Sequence, residues 1–224
     1  MKKLYPYYLL LILSVASCQE KNANLENTVP TIEKVSTQYE YLYQNAMKFW
    51  DTETPMPRTI VDGKLHSVGI YDWTSGFHPG SMWNLYALTK NEEWKNRATY
   101  YTKLLDTLQY WEGTHDLGFM IGDSYGNALK YVKNEDYEKV MVQAAKSLSS
   151  RFKPNAGIIQ SWGSNDRWQC PVIIDNMMNL EMLFEATKIS GDSTFYKIAV
   201  THADTTMAKH FRKDYSSYHV LDYD

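Results

Sequence analysis

The sequence predicts an all-α fold, and three observations carry that prediction. Apolar residues recur every three to four positions in seven separate stretches. Strand-like alternation is scarce. Helix–loop–helix units follow one another about every fifty residues, the rhythm of stacked helical hairpins. The first stretch runs from Val29, where Ile32, Val35, Tyr39, Leu42, Ala46 and Phe49 keep the helical period. Pro30 fits its first turn, where a missing N–H costs nothing. Thr52–Asp72 carries Pro55, Pro57 and Gly63 and reads as loop with a short extended piece. Helices follow over Ser81–Leu88, Trp94–Leu108, Gly118–Val132 and Tyr137–Phe152. Pro154, Gly157 and Gly163 interrupt the chain before an apolar helix at Val172–Thr187, and Ser193–Phe211 is the last.

Composition narrows the function. Among 224 residues, 23 Lys and Arg meet 26 Asp and Glu, a net charge of −3 that excludes a nucleic-acid binder. With 44% hydrophobic and 22% charged residues the chain is globular and not disordered. Tyr (18) and Trp (7) outnumber Phe (7). Rings with an apolar face and a polar edge suit wet ligands such as sugars, and they equally serve helix packing.

The amino terminus reads as an export signal. Met1-Lys2-Lys3 is basic, Leu4–Val15 is mostly apolar, and Ala16-Ser17 are small residues before Cys18. Val15-Ala16-Ser17-Cys18 resembles a bacterial lipobox. Residues 1–17 are thus expected to be a lipoprotein signal peptide, Cys18 the lipidated residue, and 18–28 a flexible tether. An ordinary signal peptide with an incidental cysteine is the alternative. The lipoprotein reading expects a periplasmic or outer-membrane-anchored protein that meets the membrane only through its lipid. Cys170 is then left without a disulfide partner and reads as a small apolar filler beside Pro171.

Polar residues concentrate at three junctions. Asp72-Trp73-Thr74-Ser75-Gly76-Phe77-His78-Pro79-Gly80-Ser81-Met82-Trp83 sets an acid, rings and an imidazole beside two glycines, with Asp72 or Ser75 capping the next helix in the plainer reading. Thr114-His115-Asp116-Leu117-Gly118-Phe119 repeats the pattern, with Asp116 as the cap. The third, Val172-Ile173-Ile174-Asp175-Asn176-Met177-Met178-Asn179-Leu180, flanks its acid with apolar residues on both sides. A carboxyl group in such surroundings is expensive to ionise, and an acid kept protonated near neutral pH is what a general acid needs. A buried aspartate satisfied by loop N–H groups is the structural alternative.

These junctions, together with Ala156-Gly157-Ile158-Ile159-Gln160-Ser161-Trp162-Gly163 and Ser216-Ser217-Tyr218-His219, resemble in order the unsaturated glucuronyl hydrolases of glycoside hydrolase family 88. The similarity runs from about Gln44 to Asp224, through the single domain read at 29–224. The resemblance implies an (α/α)6 barrel of six helical hairpins in two layers. This chain is expected to supply about half of that torus, as a truncated form without the family's Arg-Gly-Gln-Ala-Trp motif. It implies removal of a 4,5-unsaturated uronic acid from the non-reducing end of lyase-generated oligosaccharides, by hydration of the vinyl ether. Glycosaminoglycan fragments are the expected source. It implies Asp175 as general acid/base, Asp116 as the second acid, and Trp73 and His219 as contacts to the unsaturated sugar. His115 either orients Asp116 or bonds to backbone as a loop imidazole. His78 stands where relatives carry an aromatic ring, and is expected to alter pocket shape. No metal or organic cofactor is implied, and the chain has no His-Glu-x-x-His and no Cys/His ligand spacing. A non-catalytic sugar-binding lipoprotein, an inactive fragment, the related rhamnogalacturonyl hydrolase activity and a helical-repeat scaffold are the competing readings.

Overall fold

The computed structural model describes residues 20–223, and side chains from residue 31 onward. The stretch expected to be a signal peptide and Cys18 therefore lie outside the described residues. The fold is mainly helical. α1 (Glu20–Ala46) begins nine residues before the expected Val29, within the stretch read as a tether, so Pro30 sits inside the helix. Polarity alone does not stop a helix, and Glu, Ala and Leu are good helix formers.

Thr52–Asp72 holds more strand than expected. β1 (Met56–Val61) and β2 (Lys64–Val68) pair antiparallel around Asp62-Gly63, both with positive φ. That is the backbone a two-residue hairpin loop requires. Arg58 on β1 pairs with Asp72 at 2.8 Å, and the other Asp72 oxygen accepts from the Thr74 N–H and hydroxyl at 3.0 and 2.6 Å. Asp72 therefore ties the hairpin to the loop and caps no helix. Gly76 is the cap of α2 (Phe77–Thr89), with no side-chain bond.

Three helical hairpins follow. α2 packs on α3 (Glu92–Leu104), and a π-helix (Gly118–Gly126) with its short continuation α4 (Asn127–Leu129) packs on α5 (Glu135–Ser149). α6 (Leu180–Ser190) packs on α7 (Ser193–Lys209). α2, the π-helix and α6 lie side by side, with α3, α5 and α7 behind them. This two-layered arrangement is the partial (α/α)6 barrel that the resemblance implies. Local chemistry explains the clearest starts. Asn134 accepts from the Asp136 and Tyr137 N–H groups, and Glu135, Asp136 and Glu138 oppose the α5 dipole. α5 then buries Tyr137, Val140, Met141, Ala144, Ala145 and Leu148 on one face. Asp192 caps α7 in the same way through the Thr194 N–H.

Neighbouring helices within a layer meet closely where glycine allows it. A Cβ on Gly76 would lie 2.0 Å from the Phe119 carbonyl oxygen, so α2 starts against the π-helix backbone with no room for a side chain. Behind it Trp83 and Tyr101 are fully buried, and the Trp83 indole donates to Thr102 Oγ1 at 3.0 Å. His78 belongs to this core, not to a pocket wall. It is 3% exposed, its Nδ1 meets the Tyr39 hydroxyl at 2.9 Å, and burial pushes its imidazole down to about 3.

The expected helix at Val172–Thr187 is three elements. β5 (Pro171–Ile173) pairs with β6 (Val220–Asp222), a 3-10 turn covers Ile174–Asn179, and only then does α6 begin. The β-branched run Val172-Ile173-Ile174 favours a strand once a partner is in reach. β3 (Phe152–Lys153) and β4 (Ile158–Ile159) form a third small pair. Among the described residues no helix is long and apolar enough to cross a membrane.

Candidate active site

The π-helix opens directly after Thr114-His115-Asp116, and the Asp116 carbonyl accepts the Met120 N–H at 3.0 Å. Leu117, not Asp116, stands at the cap position. The Asp116 carboxylate is instead held from the side. Thr114 Oγ1 donates to its Oδ2 at 2.5 Å, and the Asp116 N–H donates to Thr114 Oγ1 at 3.1 Å. His115 Nε2 lies 3.2 Å from its Oδ1. Burial holds the His115 imidazole below the ordinary histidine range, against the pull of Asp116 and Asp175. The ring is uncharged near neutral pH, so its contact with Asp116 is not an ion pair.

Asp175 arrives from the other side, on the first turn after β5. The turn that carries it is pinned at three places by distant residues. The Ile173 N–H donates to Ser161 Oγ at 3.0 Å, the Ile174 N–H to the His219 carbonyl at 2.9 Å, and Asn176 Nδ2 to the Ile159 carbonyl at 2.7 Å. Asp175 Oδ1 is buried with no hydrogen-bond partner among the described residues. A buried oxygen without a partner is uncommon and is free to meet a ligand or water. Asp116 touches the His115 ring directly, and the charge of Asp175 also pulls that imidazole toward its protonated form.

Two buried asparagines lock the elements together. Phe119 N–H donates to Asn179 Oδ1 at 3.2 Å, and a Cβ on Gly118 would lie 2.5 Å from both Asn179 Cα and Oδ1. The π-helix thus docks on the 3-10 turn through glycine. Asn176 and Asn179 sit three apart around Met177-Met178, a pattern visible in the quoted run but given no task there. Arg151 and His202 carry no such local signal. His202 is fully buried on α7, accepts the Ile159 N–H at Nδ1 and is pushed down to about 4 by burial.

Aromatic rings form one wall. Trp73, Phe77 and Phe119 meet edge to face with centroids 5.7 to 5.8 Å apart, and Trp73 stays 42% exposed. Phe119 belongs to the π-helix into which the Asp116 loop leads. His219 is joined to the Asp175 turn through its backbone and presents an exposed imidazole. Trp162 packs edge to face on Trp168 at 6.4 Å. Cys170 is a free thiol, raised by burial, whose N–H donates to Asp222 Oδ1 at 2.6 Å. Among the described residues no three His, Cys, Asp or Glu side chains gather as a metal site.

No family model matches the chain. An unsaturated glucuronyl hydrolase from Formosa agariphila is 39% identical over 225 residues, covering 97% of this chain and 56% of the relative. The crystal structure of an unsaturated glucuronyl hydrolase specific for heparin superposes with a TM-score of 0.79 at 41% identity, over 86% of this chain and 52% of that one. The chain belongs to the unsaturated glucuronyl hydrolase family. It spans about half the length of the curated relatives it matches. A further member of the family, 27% identical with a TM-score of 0.72, was solved with dGlcA-Glc-Rha-Glc and is matched over 81% of this chain and 49% of its own.

Proposed function

We propose that this chain carries the acid pair of a glycosidase that removes a 4,5-unsaturated uronic acid from the non-reducing end of lyase-generated oligosaccharides. The carrying observation is that the turn bearing Asp175 docks through Asn179 on the π-helix that follows Asp116, with Asp175 Oδ1 buried and without a partner among the described residues. The glycosaminoglycan class is favoured by the relative specific for heparin. Asp175 gives its proton to C4 of the vinyl ether, and the cation left at C5 is stabilised by the ring oxygen. Water adds at C5 as Asp175 takes back a proton, so the acid ends as it began. The hemiketal opens and releases the neighbouring sugar. Asp116, held by Thr114 and His115, binds sugar hydroxyls and offsets the positive charge that develops. Trp73 packs on the unsaturated ring and His219 supplies a polar contact. No carboxylate acts as a nucleophile on the anomeric carbon, so the usual link between acid spacing and stereochemistry does not apply.

The same reading takes the protein as an exported lipoprotein, tethered through Cys18 with its domain outside the bilayer. The basic start, the apolar stretch and Ala16-Ser17-Cys18 support it. Metabolic labelling with a tagged fatty acid tests it, and a Cys18→Ser protein that still incorporates label refutes it.

The unsaturated uronate absorbs in the near ultraviolet and hydration removes that absorbance. The full-length protein is expected to bleach the signal and Asp175→Asn to abolish the bleaching. Sugar binding without bleaching by the unaltered protein would replace the enzyme with a sugar-binding module.

A further inference from the structure

The proposed reaction gives Arg151 no task, yet its guanidinium bonds to a carbonyl in each of the two loops that carry the supports of the acids. Arg151 lies two residues beyond α5 and is partly buried. Its Nε donates to the Gln160 carbonyl at 2.8 Å and its Nη1 to the Glu112 carbonyl. The Gln160 N–H returns a bond to the Arg151 carbonyl at 3.1 Å. Glu112 leads into the loop of Asp116. Gln160 precedes Ser161, whose hydroxyl holds the Ile173 N–H at the entry to the Asp175 turn. Among the described residues Arg151 forms no ion pair with a carboxylate within 4.0 Å. An arginine drawn out of water normally has such a partner, because its charge is costly to desolvate.

We propose that Arg151 is a positioning residue, a clamp that joins the loop bearing Asp116 to the loop supporting Asp175 and sets a fixed positive charge behind the acid pair. The consequence for catalysis rests on the function proposed above. The clamp itself does not. A planar fork that reaches two carbonyls is something lysine cannot reproduce, although lysine keeps the charge. The charge opposes protonation of His115. The groups facing His115 are Asp116 and Asp175, which pull its imidazole toward the charged form, and Arg151, which pushes against it. Asn176 adds a dipole, and His202 on α7 faces it uncharged.

Histidine-selective NMR titration of the full chain separates charge from clamp and needs no turnover. Arg151→Gln is expected to raise the His115 midpoint by about one pH unit, with exposed His66 unmoved as the reference. Arg151→Lys is expected to leave His115 within about a third of a unit, while amide exchange at Asp116 and Trp162 quickens about tenfold. An unmoved His115 in folded Arg151→Gln overturns the charge role, and unchanged exchange in Arg151→Lys overturns the clamp. Should Arg151→Gln fail to fold, Arg151→Lys decides the proposal alone. In the full-length protein Arg151→Lys should lower kcat about tenfold with KM held. A parent protein without turnover would sink the proposed reaction and leave the titration result standing.

Discussion

Asp116 and Asp175 are both aspartates at the entry to a helical turn, and they are held by opposite means. Asp116 is dressed by its immediate neighbours, Thr114 and His115, within two residues along the chain. Asp175 draws nothing from its neighbours in sequence. Ser161, Ile159 and His219 pin its turn from afar and leave its Oδ1 bare. A carboxylate already engaged suits a constant role as hydrogen-bond acceptor and counter-charge. One with an open, buried oxygen suits a group that must gain and lose a proton.

Replacing each acid by its amide strains that division hardest. Asp175→Asn should cut turnover of the full-length protein about 10³-fold or more, and Asp116→Asn about 10²-fold, read as loss of near-ultraviolet absorbance. Equal losses would remove the distinction. The seam between the two regions comes next. Gly118→Ala pushes a methyl group into Asn179, 2.5 Å from its Cα, and should cost about 3 kcal/mol in denaturant melts. Gly163→Ala, with nothing within 4 Å of its Cβ, should stay within about 0.5 kcal/mol. If the two alanines melt alike, the π-helix does not dock as described.

The supporting hydroxyls should divide by readout. Thr114→Val removes the donor to the Asp116 carboxylate and the acceptor of the Asp116 N–H, and should slow turnover about tenfold and lower stability by about 1 kcal/mol. Ser161→Ala leaves the Ile173 N–H without its acceptor and should lower stability by about 1 to 2 kcal/mol. A reversal of these readouts would mean that local and distant supports had been assigned the wrong way round.

The smallest effect concerns a carboxyl on the same π-helix but outside the pair. Asp123 lines the groove toward α6 with Gly122, Met178 and Glu181. Burial, aided by Glu181 and opposed by Lys130, pushes it up to about 6 from an ordinary 3.8. The folded state then binds the extra proton, so this group's contribution to stability falls as pH rises from about 4 to about 6. Asp123→Asn removes that fall and should melt higher than the parent at pH 7, by about 1 kcal/mol after allowance for solvent screening, and equally at pH 4. A difference that does not change with pH would show that Asp123 is charged in the fold throughout.

Much of the helical frame is legible along the chain because its causes are local. Asn134 with its acidic first turn announces α5, and Asp192 announces α7, through bonds no more than three residues long. The π-helix is harder to read: Gly118–Gly126 keeps a helical apolar rhythm, and nothing in that rhythm separates a π-helix from an α-helix. Val172–Thr187 misleads for a different reason. Its apolar run fits a buried helix or a strand equally, and the partner that decides is Val220–Asp222, some fifty residues later. Asp72 and Asp116 look like caps because cap chemistry and side-chain anchoring use the same residues. Only the position of Arg58 and of Thr114 Oγ1 tells them apart. His78 is expected from the sequence to alter pocket shape, but α1 covers it, and a helix packed from about forty residues upstream leaves no trace beside position 78.

Helical periodicity and the caps of α5 and α7 are properties of short stretches, so the order of residues is enough for them. The open oxygen of Asp175, the neutral rings of His78 and His115 and the reach of Arg151 depend on burial and on charges brought within a few ångströms by remote segments. Desolvation and Coulomb interactions act through space and take no account of chain order, so only the assembled layers could decide them.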